Sequence, residues 1–181
     1  MKQYRTTNVQ KAYQSPRTTL EVHDVQIEHT DASVTSHRWD VIRVKDAVAI
    51  LPINEKGNVL LLENYRYAVG ERFLELCAGL IDEGETIEQA ALRELQEETG
   101  FTALHLTKLG SFYTSPGLIT EKIHLFEARD LGVGEQTTEP MEDLKVVEFT
   151  PAQIASLLSS GKVCDAKTLL ALTCFTVNST K

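Results

Sequence analysis

Apolar and polar positions alternate through much of the chain, and this pattern predicts a protein built mainly from strands. Strict alternation is typical of half-buried strands, and residues 18–30 and 38–44 follow it. Two β-rich runs, 46–53 and 58–63, are separated by the turn-like sequence NEKG and predict a hairpin. Residues 73–79 (FLELCAG) predict another short strand that ends at a glycine.

Helical spacing first appears after residue 85. Thr86 and Gln89 have the spacing of a capping box, and apolar residues then recur at helical intervals. Gly100 stands where a glycine that ends a helix is expected. These signals predict a helix that begins near Ile87 and ends at Gly100.

The rest of the chain predicts three more strands and then two helices. The strands are predicted at residues 108–117, 121–130 and 144–150. Pro151 begins a short predicted helix that closes at Gly161, and a final helix is predicted at 166–175, where TCFTV would alternatively extend as strand. Strands, one central helix, strands and then helices predict a mixed α/β (α+β) sandwich.

Composition and charge narrow the classes of function. A chain of 181 residues that is 42% hydrophobic and 24% charged is typical of one soluble globular domain. No apolar run approaches the roughly 20 residues that span a bilayer, and the N-terminus has no signal-peptide core. A net charge of −8 argues against long nucleic acid as a partner. Three cysteines form no disulfide framework, so we expect a reducing, cytoplasmic location.

The predicted central helix carries acidic residues on the face that should meet the core. At about 100° per residue, Glu94 and Glu98 fall in the middle of the apolar face and Glu97 falls at its edge. The apolar residues that define this face are Ile87, Ala90, Ala91 and Leu95. A solvated acidic helix is the alternative, but inward unpaired carboxylates would cost several kcal/mol. Divalent cations would remove that cost, so the face is interpreted as a metal platform.

Residues 79–101 (GLIDEGETIEQAALRELQEETGF) resemble the Nudix hydrolase signature at every fixed position. Those positions are Gly79, Glu85, Arg93, Glu94, Leu95, Glu97, Glu98, Gly100 and Phe101. The resemblance implies a Nudix αβα sandwich with a mixed central sheet, a catalytic loop-helix-loop and an N-terminal antiparallel strand region. Residues 1–45 would be a β-rich dimerisation region and residues 46–181 the hydrolase domain.

The same resemblance implies roles for the residues of this box. The implied metal ligands are the backbone carbonyl of Ala78 and the carboxylates of Glu94, Glu97 and Glu98. Arg93 would orient a glutamate, and Glu85 would pair locally with it. The implied cation is Mg²⁺, with Mn²⁺ as a substitute, and the implied reaction is attack of metal-activated water on one phosphorus of a diphosphate.

Two segments outside the box resemble those of ADP-ribose and related nucleoside diphosphate sugar hydrolases. Ser115 and Pro116 match a Ser-Pro-Gly marker at the same distance from the box, although a simple turn proline is the alternative. Arg66 matches the arginine of a Glu-x-x-Arg segment that runs into the box, and it would contact the diphosphate. Cys77 departs from the pattern, since relatives commonly carry proline there.

The single tryptophan, Trp39, has two interpretations. It would either be a core residue or stack on adenine, as a tryptophan in related ADP-ribose hydrolases does. Arg38 and Arg43 flank it, and either would be able to meet phosphate. By the same resemblance the protein would be a homodimer with exchanged N-terminal strands, so Trp39 would act in its own site or in that of its partner.

The acidic loop 132–143 resembles the loop that supplies a general base and a further metal contact in related ADP-ribose hydrolases. Glu142 aligns best with the metal contact, which leaves Glu139 as the base. Because Pro140 interrupts the usual run of acids, the two roles would also be exchangeable, or the base would be Glu135.

Three functions follow from these resemblances. The first is Mg²⁺-dependent hydrolysis of ADP-ribose to AMP and ribose 5-phosphate, with activity on other nucleoside diphosphate sugars. The second is the same chemistry on another sugar nucleotide such as GDP-mannose. The third is a non-catalytic module that senses ADP-ribose, which the complete set of box carboxylates disfavours.

Overall fold

A computed structural model of the protein describes residues 1–138 and 143–179. In chain order the elements are β1 (Gln3–Gln14), β2 (Thr19–Glu28), β3 (Val34–Arg43), β4 (Ala47–Pro52), β5 (Val59–Arg66), β6 (Glu71–Glu75), β7 (Cys77–Leu80), α1 (Ile87–Thr99), β8 (Phe101–Tyr113), β9 (Lys122–Val133), β10 (Leu144–Phe149), α2 (Pro151–Ser159) and α3 (Ala166–Ser179). None of the helices within the described ranges is long and apolar enough to cross a membrane.

The chain divides into two compact units, and the first contains Met1–Asp46 and Tyr113–Lys122. Its sheet is antiparallel, with β2 between β1 and β3. The second segment of this unit joins the end of β3, where the Ile42 amide donates to the Leu118 carbonyl at 2.8 Å. The predicted boundary near residue 45 did not include that segment.

The second unit contains Ala47–Phe112 and Ile123–Lys181, and it is built on two sheets. One has the order β7-β4-β9-β8, with β4 parallel to β9 and antiparallel to β7. The other is antiparallel, with β5 between β10 and β6. The predicted mixed sheet is therefore confirmed.

Strand β4 lies at the centre of this unit, and all six of its residues are buried. Successive side chains of a strand point to opposite faces, so β4 contributes to two cores. Val48 and Ile50 pack with Leu95 of α1 in one cluster. Ala49 and Leu51 pack with residues of α2 and α3 in the other. Helices therefore cover both faces of the sheet, as the predicted αβα arrangement requires.

Several element boundaries differ from the sequence prediction for identifiable reasons. Gly100 adopts the left-handed conformation (φ 73°) and turns the chain directly into β8, which begins at Phe101 and not at residue 108. The predicted strand 73–79 divides into β6 and β7 at Leu76, whose amide donates to Thr168 Oγ1 at 2.8 Å. The sequence TCFTV lies within α3, so its alternative prediction as strand is wrong.

Candidate functional site

The candidate site is organised by helix α1, whose ends are fixed by local hydrogen bonds. The Gln89 amide donates to Thr86 Oγ1 at 3.2 Å, and the Thr86 amide donates to Gln89 Oε1 at 2.9 Å. At the other end, the Gly100 amide donates to the Gln96 carbonyl at 2.8 Å. The predicted capping box and glycine cap are confirmed, and the direction of the acidic side chains is fixed with them.

The three acids of α1 lie in different environments. Glu98 is only 5% exposed, and one of its carboxylate oxygens accepts the Ala78 amide of β7 at 2.8 Å. The Glu94 side chain is 12% exposed and the Glu97 side chain 41% exposed. Glu94 and Glu98 therefore point inward and Glu97 lies at the edge, as the helical geometry predicts.

Gly79 allows strand β7 to approach the Glu94 carboxylate closely. A Cβ atom at position 79 would lie 2.0 Å from Glu94 Cδ and Oε1. A side chain there would displace that carboxylate, so the glycine of the box is needed for space and not for backbone conformation. The carboxylate of Glu94 thus lies in a cradle formed by the backbone that follows Ala78.

Arg93 joins the acids of the helix to the loop before it. Its Nε and Nη2 donate to the two carboxylate oxygens of Glu85 at 2.8 and 2.9 Å, and Nη2 also donates to the Leu80 carbonyl at 3.0 Å. Nη1 donates to Glu94 at 2.6 Å and to Glu97 at 3.1 Å. Hydrogen bonding to Arg93 lowers the pKa of Glu85 to about 2, and the same bonds raise the pKa of Arg93. One guanidinium therefore orients three carboxylates.

The donor chemistry of this cluster fits a hard divalent cation. Glu94, Glu97 and Glu98 offer carboxylate oxygens, which Mg²⁺ and Mn²⁺ prefer, and Gly79 lets the backbone of β7 lie directly against one of these carboxylates. Across residues 1–138 and 143–179, no three His, Cys, Asp or Glu side chains are grouped as ready metal ligands. In this structure the carboxylates of Glu94 and Glu97 face Arg93 instead.

The first part of the acidic loop 132–143 is tied to the end of α1, which sequence patterns did not reveal. Gln136 Nε2 donates to the Glu98 carbonyl at 2.7 Å, and the Thr137 amide donates to the Glu97 carbonyl at 3.0 Å. The Gly134 amide bonds to the carbonyl of the capping glycine at 2.7 Å. Bonds from a side-chain amide to a distant carbonyl leave no periodic signal, so Gln136 was not predicted.

The loop acids themselves are only partly described. Glu139 and Glu142, predicted as general base and metal contact, lie outside the described residues. Glu135, the alternative base, is exposed. It lies between Gly134, which bonds to the capping glycine, and Gln136, which bonds to the end of α1. The structure therefore fixes the start of the loop at the end of α1.

Arg66, predicted to contact a diphosphate, lies at the end of β5 and forms an ion pair. Its Nε donates to Glu75 Oε1 at 2.9 Å and its Nη2 donates to Glu75 Oε2 at 2.5 Å. Glu75 is 2% exposed and also accepts Lys167 Nζ at 3.0 Å. The sequence pattern singled out neither of these partners: Glu75 lies on the neighbouring strand β6, and Lys167 lies 92 positions from Glu75 in the chain.

Trp39 and Arg43 belong to the first unit, whereas the box belongs to the second. Trp39 is 39% exposed, and its ring centroid lies 6.2 Å from that of Tyr4. It is therefore not a core residue, and that interpretation is wrong. Arg43 Nε donates at 2.6 Å to Glu21, whose carboxylate is buried and also meets His23.

Ser115 and Pro116 also belong to the first unit and begin a turn. The Ser115 carbonyl accepts the amides of Leu118 at 3.0 Å and Ile119 at 2.8 Å. Proline at the second position of such a turn is favoured because the ring already fixes the φ angle that the turn needs. The turn follows β8, which ends at Tyr113, whereas the sequence predicted strand to residue 117. The turn interpretation of Pro116 is thus correct, and it leaves a substrate role open.

Comparison with known proteins identifies relatives over most of the chain. The model of the NUDIX domain family matches residues 43–172. The chain is 38% identical to ADP-ribose pyrophosphatase of Bacillus subtilis over 155 residues, which cover 84% of this chain and 82% of that protein. It is 33% identical to GDP-mannose pyrophosphatase of Yersinia enterocolitica, covering 81% of each protein. A solved structure of an ADP compounds hydrolase superposes with a TM-score of 0.81 and 28% identity, covering 97% of this chain and 92% of that one.

The lowered pKa of Glu85 predicts an acid-sensitive contribution to stability. The ionised carboxylate stabilises the fold fully above its ordinary pKa of 4.5, and this contribution is lost as pH falls toward about 2. We expect the difference in unfolding free energy between the wild type and Glu85→Gln to shrink as the pH falls from about 5 to about 2. Urea titrations with a chelator present would measure it, and a difference independent of pH would contradict the assignment.

Proposed function

Because the chain belongs to the NUDIX hydrolase family, we propose that it cleaves the diphosphate bond of ADP-ribose to give AMP and ribose 5-phosphate, with Mg²⁺ as cofactor. The observation that carries the chemistry is the inward pair of carboxylates at Glu94 and Glu98, set beside the cradle at Gly79. The substrate is supported by the 38% identity to an ADP-ribose pyrophosphatase along most of the chain.

The proposed cation would be held by oxygen donors from three elements. These are the carbonyl of Ala78, the carboxylates of Glu94, Glu97 and Glu98, and the carboxylate of Glu142. Mn²⁺ offers the same ligand preference and would substitute for Mg²⁺. When bound, the metal would lower the pKa of a water molecule and stabilise the charge that develops on the diphosphate.

The remaining chemistry is assigned to side chains of the chain itself. Glu139 is proposed as the base that takes a proton from the attacking water, while a new P–O bond forms and the bridging P–O bond breaks. Glu142 or Glu135 would take this role if the loop acids are exchanged. Arg93 acts as a positioning residue, because it bonds to Glu94 and Glu97 on one side and is anchored by Glu85 on the other.

The proposed contacts with the nucleotide are assigned residue by residue. Arg66 would meet the diphosphate, since a planar guanidinium matches paired phosphate oxygens. Trp39 would stack on adenine, and its 39% exposure leaves the ring accessible. Arg43, with Ser115 and Pro116 of the turn, would complete the substrate contacts.

We further propose that residues 1–45 form a dimerisation region and that the protein acts in the cytoplasm as a homodimer. Strand β1 is exposed along its whole length, and an uncovered edge strand of this kind is suited to pairing with another chain. Cys77, Cys164 and Cys174 are all free, which fits a reducing compartment. We expect light scattering to give twice the mass of 20.2 kDa, and a monomer mass would overturn the dimer.

A substrate panel tests the proposed activity. With Mg²⁺, we expect kcat/KM to be highest for ADP-ribose among ADP-ribose, GDP-mannose, NADH, coenzyme A and diadenosine polyphosphates, with AMP as the product detected by chromatography. Glu98→Gln should lower turnover by orders of magnitude while circular dichroism shows an intact fold. Faster turnover of GDP-mannose would transfer the assignment to that class, and tight binding of ADP-ribose without product would indicate a sensing module.

The cradle at Gly79 generates a second prediction. In Gly79→Ala the new methyl group would displace the Glu94 carboxylate, which is the flexible end of a side chain and not backbone. We therefore expect the unfolding free energy to change by less than about 1 kcal/mol while turnover falls steeply. Gly110→Ala is the matched control, because a Cβ there meets nothing within 4 Å and the position has no positive φ. Full activity of Gly79→Ala would show that the close approach has no role in the reaction.

A further inference from the structure

A buried ion-pair network connects Arg66 to the start of helix α3. Its centre is Glu75 on β6, which is 2% exposed. Glu75 Oε2 accepts both Arg66 Nη2 at 2.5 Å and Lys167 Nζ at 3.0 Å. One carboxylate oxygen is therefore shared by two cations, and the position of either cation affects the other.

Lys167 is held in one geometry by the cap of α3. Its side chain is only 12% exposed, and Nζ also donates to Asp165 Oδ1 at 2.9 Å. Asp165 Oδ2 in turn accepts the amide of Thr168 at 3.0 Å and its hydroxyl at 2.5 Å. The same hydroxyl oxygen accepts the Leu76 amide at 2.8 Å, one residue after Glu75. The helix start and the strand are thus fixed together, and Lys167 is fixed with them.

Arg66 is the most exposed member of this network. Its side chain is 45% exposed, whereas that of Glu75 is 3% exposed. Glu75 accepts hydrogen bonds from Nε and Nη2 of Arg66, so Nη1 is the guanidinium nitrogen that Glu75 does not bind. Hydrogen bonding to Glu75 raises the pKa of Arg66, and the negative charge of Glu98 adds to this effect. Arg66 therefore lies within electrostatic reach of a proposed metal ligand.

We propose that Lys167 is a positioning residue for substrate binding, which acts through Glu75 to set the orientation and available charge of Arg66. With Lys167 present, the negative charge of Glu75 is shared between two cations. The positive charge of Arg66 is then only partly neutralised and attracts an anionic group. Without Lys167, Glu75 would bind Arg66 alone and compete with the substrate for it. The inference rests on the proposed function, because the anionic group is the diphosphate of ADP-ribose.

The variant Lys167→Met tests this role with the intact enzyme. We expect KM for ADP-ribose to rise about tenfold, a factor within the range for coupled residues of one network, while kcat stays within about twofold. Lys167→Arg, which keeps the charge, should restore most of the affinity. Lys162→Met is the matched control, since this exposed lysine lies between α2 and α3 outside the network. Lys167→Gln, which keeps a donor without the charge, serves if Lys167→Met does not fold.

A double-mutant cycle with Arg66→Ala separates positioning from a purely structural role. Once Arg66 is absent, Lys167→Met should raise KM no further, because its effect is carried by that guanidinium. An equal rise of KM in both backgrounds would overturn the inference. A rise of KM in Lys162→Met as large as in Lys167→Met would also overturn it.

The failure of the proposed function would look different. If the wild type does not hydrolyse ADP-ribose, the substrate assignment fails before any variant is made. If the wild type is active and Arg66→Ala leaves KM unchanged, the assignment of Arg66 and the role of Lys167 both fail, while the activity stands. These two failures and an overturned role of Lys167 alone are thus distinguishable within one set of kinetic measurements.

Discussion

The burial of two carboxylates on the core-facing side of helix α1 is the constraint on which the rest of the site depends. Glu98 is 5% exposed and the side chain of Glu94 is 12% exposed, although isolated charges in buried positions cost several kcal/mol. The protein compensates with the Ala78 amide and the Arg93 guanidinium. A bound divalent cation would lower the cost of burying these carboxylates further. The arrangement is therefore suited to binding a cation and does not serve the stability of the fold alone.

The same compensation recurs at increasing distance from the helix. Arg93 is shared between Glu85 in the preceding loop and the acids of α1, so that the loop and the helix keep one geometry. Glu75 is shared between Arg66 and Lys167 in the same manner. In the first cluster, Arg93 is anchored by Glu85 and holds Glu94, which would bind the metal. In the second, the buried Glu75 holds Arg66, which would bind the substrate. Such preorganisation lowers the cost of ordering these groups during binding and reaction.

Much of the site was predictable because its signals are local. The capping residues Thr86 and Gly100 and the inward direction of Glu94 and Glu98 follow from spacing within one helix. The alternation of strands, the central helix and the closing helices predicted a mixed α/β sandwich, and the resemblance to the Nudix signature implied the αβα arrangement. Element boundaries were less predictable where a distant partner sets them, as Thr168 does for the break at Leu76.

The sequence by itself thus determined the fold class and the inward acids of the helix, because helical and strand periodicity are short-range properties of the chain. The family followed from the resemblance of residues 79–101 to the Nudix signature. Only the tertiary structure placed Gly79 against the Glu94 carboxylate, tied Gln136 to the end of α1, and joined Lys167 to Glu75 across 92 positions of sequence. These contacts depend on how separate elements pack. No spacing rule encodes them, since loop closure brings together residues whose separation in the chain carries no periodic signal.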